Sequence, residues 1–441
     1  MSATSIALPR EQNGFGEYIQ RIREFSTNAK LYIVHIVGMD VIYGTWQVLF
    51  NLYLLAVFAN GVSFELFGNA IQMSAVQLIG ARIAINGLAG AFGAIPAGMI
   101  SDRIGRKYSF ILGDYAGAVL SLGNITTLNP IVLLITPIFE SLFGTLHQVS
   151  EPAFMAENSE PAERVHLFSF ASSMRTLAAL SGALLGGFAS TIFIGGQVAA
   201  YRSAAIIGVA GWTLSLVPAL LLTQKSWDVP KKEKGKQGLF SKIQHPDRIA
   251  RMVVINVVVG LAVAFVVPLF NVYFRQGIHA HDSEIGVTFA GGSLLLALTA
   301  LFGPTLASRF GKVPAIVSAR LLGIPFVLLL AFAPDVEKLS QLSLLSIAGA
   351  AYIARNVFRN VSGPIASAFE MEILAPQERG TAVGAGAAMF NLTFAIGGFA
   401  GAAMMSAGDY RTPFVLMAIF YLAGDVLYWF FFRKMQAVPE K

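Results

Sequence analysis

Long apolar runs alternate along this chain with short polar interruptions, and the runs are too long for a soluble core. Windows with almost no Asp, Glu, Lys or Arg recur from residue 31 to residue 433. Crossing the hydrocarbon of a bilayer takes roughly 20 apolar residues per helix. The pattern therefore predicts an all-α integral membrane protein of twelve transmembrane helices. The spans fall near 31–58, 72–100, 108–128, 130–152, 166–190, 199–223, 249–273, 284–307, 313–333, 340–371, 380–406 and 411–433. The longest polar run, residues 224–248, lies at the middle of the series. It divides the chain into a first six-helix bundle, 31–223, and a second, 249–433, with terminal segments 1–30 and 434–441.

The halves echo each other. LFNLY at 49–53 returns as LFNVY at 269–273, a step of 220 residues. SDRIGR at 101–106 is echoed by SRFGK at 308–312, with Gly105 and Gly311 206 residues apart. FMAENSEPAER at 154–164 is echoed by FEMEILAPQER at 369–379, a step of 215. Six spans per half make the repeat parallel, related by an axis along the membrane normal.

Composition strengthens this picture and closes other routes. Hydrophobic residues make up 55% of the 441 and charged residues 13%, against about 25% charged in a soluble domain. There is no cysteine, which excludes disulfides, thiol chemistry and Cys-ligated zinc. The net charge of +6 does not mark a nucleic-acid binder, because its placement is topological. Of the Lys and Arg outside the spans, only Arg202, Arg275, Lys338 and Arg411 lie on the side opposite the termini. This is the positive-inside pattern, and it places both termini and the linker in the cytoplasm of a plasma (inner) membrane. The first thirty residues lack an apolar signal region. Phe15, Tyr18, Ile19, Ile22 and Phe25 share one helical face opposite Arg21, which predicts a helix lying in the membrane interface.

Between the second and third spans the chain reads GMISDRIGRK, residues 98–107. Twelve spans in a six-plus-six repeat, with Gly98, Asp102, Arg103, Gly105, Arg106 and Lys107 in that loop, resemble the major facilitator superfamily, in a prokaryotic-looking, drug-exporter-like form. The resemblance implies secondary transport by alternating access, through a central cavity lined by helices 1, 4, 7 and 10. It also implies that this loop is a conformational latch facing the start of helix 11 near Gly380. There a carboxylate such as Asp102 can cap the positive helix end. The small-residue ladder Gly90, Ala94, Gly98 suits close helix approach, and Arg103, Arg106 and Lys107 suit acids or lipid phosphates.

Ionisable residues inside spans cost roughly 2.5–3.5 kcal/mol each at a helix centre, so each needs a partner or a cavity. The acids are Asp40, Asp114, Glu140 and Asp425; the bases are Arg82, Arg175, Arg320, Arg355 and Arg359. The 215-residue step carries Glu140 onto Arg355, setting opposite charges at equivalent places in helices 4 and 10. Glu140, Gly144, His147 and Glu151 share one face of helix 4, and Arg355 and Arg359 one face of helix 10. The candidate substrate and coupling residues are Asp40, Glu140, His147, Arg175, Arg355 and Arg359. For Glu140 two roles stay open: proton coupling or cation recognition, and a structural ion pair, for instance with Arg175. His147 is a proton relay or a hydrogen-bonded core histidine. Asp114, Arg320 and Asp425 lie on helices peripheral in the family and are expected to pair structurally. Asn51 and Asn271 are expected to join helix ends. HAHDSE at 279–284 invites a zinc reading, but Asp282 or Ser283 there suits a helix N-cap.

No phosphate-binding loop or zinc-hydrolase motif is present, so no enzyme and no cofactor are expected. A proton gradient is the expected energy source. The family's antiporter pattern in helix 5 reads GALLGG at 182–187, with Ala183 in place of its proline; Glu140 stands where drug–proton antiporters carry an arginine before Gly144. The expectation is a monomeric, proton-coupled exporter of small amphipathic compounds, with membrane lipid its only other partner. The alternatives are uptake or exchange of an organic anion held by Arg355 and Arg359, and a non-transporting receptor or assembly factor.

Overall fold

The computed structural model describes residues 22–159, 161–223, 244–300 and 309–435. Most of the expected interfacial helix and of the linker lie outside these residues, as does the side chain of Asp102. Twelve long helical segments are described: α1 (Thr27–Val57), α2 (Ala75–Ile104), α3 (Arg106–Thr126), α4 (Pro130–Glu157), α5 (Pro161–Gly187), α6 (Gln197–Leu220), α7 (Pro246–Ala264, continuing to Gly277), α8 (Asp282–Ala300), α9 (Lys312–Ala331), α10 (Leu344–Asn360, continuing as Gly363–Glu372), α11 (Pro376–Ser406) and α12 (Thr412–Phe432). They match the twelve expected spans. In eight of them the apolar stretch alone is long enough to cross a membrane. The shortfall falls on α3, α5, α8 and α10, three of which carry Asp114, Arg175 or the pair Arg355 and Arg359.

Local chemistry sets the ends. Ser26 caps α1 through the Ala29 amide at 3.2 Å, and Ser74 with Gln77 forms a capping box at α2. Asn129 followed by Pro130 starts α4, an arrangement that loses no helical hydrogen bond. Gly105 and Gly311 turn the chain sharply between helices at φ +87° and +82°, a backbone region open to glycine. They occupy equivalent places in the repeat. Pro268 offers no amide, so α7 breaks into a short 3₁₀ segment and a π turn at Tyr273–Gly277. A hairpin unforeseen in the sequence, β1 (Val62–Leu66) and β2 (Asn69–Met73), joins α1 to α2. Its two turn residues, Phe67 and Gly68, both have positive φ, as a type I′ turn requires. Phe25, expected on the membrane face, is instead 2% exposed and sits 6.2 Å from the Phe170 ring inside the first bundle.

Helices approach closely where side chains are absent. A β-carbon on Gly44 would lie 1.9 Å from the Ala179 carbonyl oxygen, and one on Gly182 1.9 Å from that of Val41. This packs α1 tightly on α5. The two bundles meet along a seam that reaches from Gly90 of α2, beside Asn391 of α11, to the hairpin end of the molecule. There Ser74 meets Ser406 at 2.6 Å, and Asn51 donates to Asn271 at 2.9 Å. Asn271 in turn donates to the Gln47 and Val48 carbonyls at 3.0 and 3.1 Å.

Following α2 toward the linker end, Gly80 faces Ala402 and Gly87 faces Asn391 of α11, whereas Gly93 meets Leu142 of its own bundle and Gly98 meets nothing within 4 Å. The helices have diverged. Among the described residues the bundles are packed together at the hairpin face and diverge toward the linker face. At the closed face a β-carbon on Gly187 would sit 2.5 Å from the Gly286 α-carbon. Gly187→Val is therefore expected to part the seam, since overpacking costs about 1–3 kcal/mol. A Ser406→Cys probe in this cysteine-free chain should then react several-fold faster with an impermeant thiol reagent. Unchanged labelling would show that the seam does not open there.

Candidate functional site

A chain of six ionisable side chains crosses the first bundle. His35 of α1 places Nε2 2.8 Å from Asp114 Oδ2 of α3, and His147 of α4 places Nδ1 3.0 Å from the same carboxylate. His147 Nε2 faces Glu151 at 3.5 Å. Glu151 also pairs with Arg175 of α5, whose Nε lies 3.7 Å from Asp40 Oδ2 on α1. Burial falls along the chain: the side chains of His35 and Asp114 are 0% and 3% exposed, and that of Arg175 is 29% exposed. The network thus runs from a sealed core to a partly open edge.

Two proton arrangements satisfy these contacts. His35 Nδ1 lies 2.9 Å from the Ser215 carbonyl and 3.2 Å from the Ser215 hydroxyl, which also reaches the Trp212 carbonyl at 2.6 Å. With the carbonyl as partner, Nδ1 carries a hydrogen and a further proton lies between Nε2 and Asp114; with the hydroxyl donating to Nδ1, Nε2 itself donates to Asp114. Three carboxylates against one guanidinium also leave the network neutral only when both imidazoles are charged. Such charge-assisted contacts are roughly twice as strong as neutral ones. His35, Asp114 and His147 also bring three potential metal ligands within 4.8 Å of one another. Each imidazole already contacts Asp114 directly, which occupies the atoms that a metal would use.

A second cluster holds Glu140. Its partner is Arg82 of α2 at 3.3 Å, not Arg175, because α4 lies between α2 and α3 and turns Glu140 toward them. Arg82 also donates to Thr136 at 3.0 Å and to the Leu133 carbonyl, and its guanidinium lies 4.9 Å from the Phe50 ring. Asn124 of α3 donates to Glu140. Gly144, one turn on, faces open space.

The second bundle is built differently at the same places. The 206-residue step carries Asp114 onto Arg320, and the 215-residue step carries His147 onto Ser362. Arg320 Nε does donate to Ser362 Oγ, at 3.1 Å. Where the first bundle has a titratable Asp–His pair, the second has a fixed cation and a hydroxyl. Arg359 is paired with Asp425 at 2.6 Å, with 5% and 0% exposure, and lies over Tyr421. Arg355 donates to Asn356 at 2.6 Å and to Tyr421, and is flanked by Phe270. Among the described residues no carboxylate pairs with Arg355, and its Nε is buried without a partner.

In the candidate latch, Arg106 and Lys107 hold hydrogen bonds to the first bundle. Arg106 donates to Ser101 at 2.7 Å, which contacts Ser150 at 2.8 Å. Lys107 donates to the Leu220 and Leu222 carbonyls at 2.8 and 2.6 Å, closing the end of α6. Arg103 is exposed. The start of α11 is capped by its own Glu378, which accepts from the Ala375 amide at 3.2 Å and the His245 amide at 2.5 Å. Burial pushes the Glu378 carboxyl up, but hydrogen bonds from His245 and the backbone outweigh it and hold the group below its ordinary 4.5.

Of the six candidate residues the structure brings Asp40, His147 and Arg175 into one network, and it adds His35 and Asp114, which sequence reasoning missed as a unit. The available signal was the repeat step that exchanges Asp114 for Arg320. Asp282, expected as a helix cap, instead bridges the two bundles.

The sequence matches the Major Facilitator Superfamily over residues 48–355 and again over 252–441. No curated protein matches it in sequence. Among solved structures it is similar to the nucleoside transporter NupG, at 14% identity and a TM-score of 0.67, covering 93% of this chain and 100% of that one. It is similar to a D-xylose–proton symporter at 15% identity and a TM-score of 0.69, covering 96% and 98%. A bacterial homologue of the iron transporter ferroportin, in its inward-facing state, gives 11% identity and a TM-score of 0.67, covering 91% and 97%. Family matches that span both bundles, on a twelve-helix fold shared with solved transporters, make this chain a member of the Major Facilitator Superfamily: a secondary transporter of the membrane, not an enzyme.

Proposed function

We propose that the chain is a proton-coupled antiporter that exports small amphipathic compounds across a prokaryotic plasma membrane, with both termini in the cytoplasm. The observation that carries this reading is the buried hydrogen-bonded triad His35–Asp114–His147, linked through Glu151 and Arg175 to Asp40 near the open side. Asp40 and Glu151 hold Arg175 in the linker-open state. A substrate cation entering from the linker face competes with Arg175 for these carboxylates, and the released charge is rebalanced by proton loss from the histidines. The open linker face is then the loading state. The latch residues Gly98, Asp102, Arg103, Gly105, Arg106 and Lys107 engage α11 only when that face closes.

One observation favours a second reading. Among the described residues no carboxylate pairs with the buried Arg355, which suits recognition of an organic anion; Arg359, matched by Asp425, no longer shares that role. Purified protein in liposomes separates the two. A pH gradient should drive cationic amphiphiles outward, and the double variant Asp40→Asn, Glu151→Gln should bind the cation more weakly and lose the response to the gradient. A retained response sinks the coupling assignment. Transport of anions alone, lost in Arg355→Gln, moves the function to the second reading.

A further inference from the structure

The seam at the hairpin face contains one ionisable bridge between the bundles among the described residues. Asp282, the first residue of α8, is 5% exposed. Its Oδ2 accepts from Ser190 at 2.9 Å and from Tyr201 of α6 at 2.7 Å, both in the first bundle. Its Oδ1 faces Arg275 of its own bundle at 3.2 Å. Directly beside it, Gly187 and Gly286 press backbone against backbone. The other bridges across the seam, Asn51 with Asn271 and Ser74 with Ser406, carry no charge.

We propose that Asp282 is a second proton-binding site, a gate carboxylate that releases the hairpin-face seam when it is protonated from that side. As a carboxylate it accepts two hydroxyl donors from the opposite bundle and balances Arg275. Protonation removes the ion pair and gives the oxygens a hydrogen of their own to place, so the bundles lose the one charge-assisted link found there among the described residues. A cavity of about 380 Å³, lined by Ser190, Gln197, Arg275, His281 and Asp282, lies at this point and gives protons a path.

The surrounding groups are few. α5 and the turn after it supply Ser190, and α6 supplies Tyr201 and Gln197, which donates to the Tyr201 oxygen at 2.9 Å. Arg202 of α6 is turned to Tyr53. The end of α7 supplies Arg275. On α8 itself, Glu284 accepts from the His281 amide at 2.7 Å, leaving the His281 ring as the other titratable neighbour. α1 brings Tyr53, whose hydroxyl is the partner of Arg202. Acid on the hairpin face therefore favours opening, and base favours closure. This rests on alternating access but not on the proton coupling assigned to the His35–Asp114 core.

The test uses the full chain, spin-labelled at Ile194→Cys and Leu339→Cys, positions 98% and 89% exposed, one on each bundle. Distances between the labels are measured over a pH series. In the parent, acidification should raise the population with a long distance. Asp282→Asn should show that population at every pH, with an open-to-closed ratio about tenfold or more above the parent at neutral pH, as loss of a charge-assisted link implies. Asp282→Glu should restore the pH response, and His281→Gln should leave it unchanged. Tyr201→Phe, which keeps the carboxylate but removes one donor, should open more readily while still responding to pH. It also serves should Asp282→Asn not fold. A pH response that survives in Asp282→Asn, or disappears in His281→Gln, overturns the proposal. Liposome flux that is independent of the pH gradient would overturn the coupling assignment and leave this gate standing.

Discussion

Asp114→Asn is expected to abolish transport driven by a pH gradient while sparing substrate exchange at uniform pH. The substitution keeps size and shape but removes the negative charge that two buried imidazoles share. Each hydrogen bond to a charged group is worth roughly 1.5–3 kcal/mol, and losing both is equivalent to about 100-fold or more in the proton occupancy of the site. Exchange at uniform pH requires no net proton movement, so it should persist within a few-fold. Asp114→Glu should recover part of the gradient response, since it restores the charge at altered reach. Gradient-driven flux that survives in Asp114→Asn would place the proton elsewhere, and loss of exchange together with the gradient response would reduce Asp114 to a structural role.

The second large effect concerns stability rather than transport. Asp425→Asn leaves the Arg359 guanidinium buried without a carboxylate, facing Tyr421 and the Arg320 carbonyl at 3.3 Å. Breaking a buried ion pair on one side costs about 3–5 kcal/mol, enough to lower the unfolding midpoint in detergent by many degrees. Arg359→Met combined with Asp425→Leu removes both charges and should regain most of the loss. The contrast is Arg411 with Asp335, 51% and 44% exposed, where Asp335→Asn should change stability by no more than about 1 kcal/mol. Equal effects at both pairs would mean that burial does not set the cost.

The helix count, the duplicated architecture and the turn glycines Gly105 and Gly311 were legible in the sequence because each leaves a pattern along the chain. Apolar length gives spans, a fixed residue step gives a repeat, and a conformation open mainly to glycine gives a sharp turn. Partners were not legible. The face of α4 bearing Glu140 follows from helical spacing, but whether it meets α2 or α5 depends on how the bundle is wound, and Arg82 carries no local sign of its role. His35 stands alone on an apolar helix, where a single histidine is unremarkable. Only its distance to Asp114, 79 residues later, gives it meaning. Asp282 misled for the same reason: its local setting fits a helix cap, while its hydrogen bonds reach back to Ser190 and Tyr201. The hairpin at 62–73 escaped because a span-by-span hydropathy pattern treats such short segments as loop.

The exchange of Asp114 for Arg320 between repeats bears on stoichiometry and electrical behaviour. Only the first copy of the duplicated unit places an acid there, and the second places a cation. If, on the proposed coupling, this core carries one proton per cycle, the charge of the substrate sets the electrical behaviour. Exchange for a monovalent cation is electrically silent, and exchange for an uncharged compound moves one unit of charge and responds to membrane voltage. A chain assembled from two first halves would carry two such protons, and one assembled from two second halves would carry none.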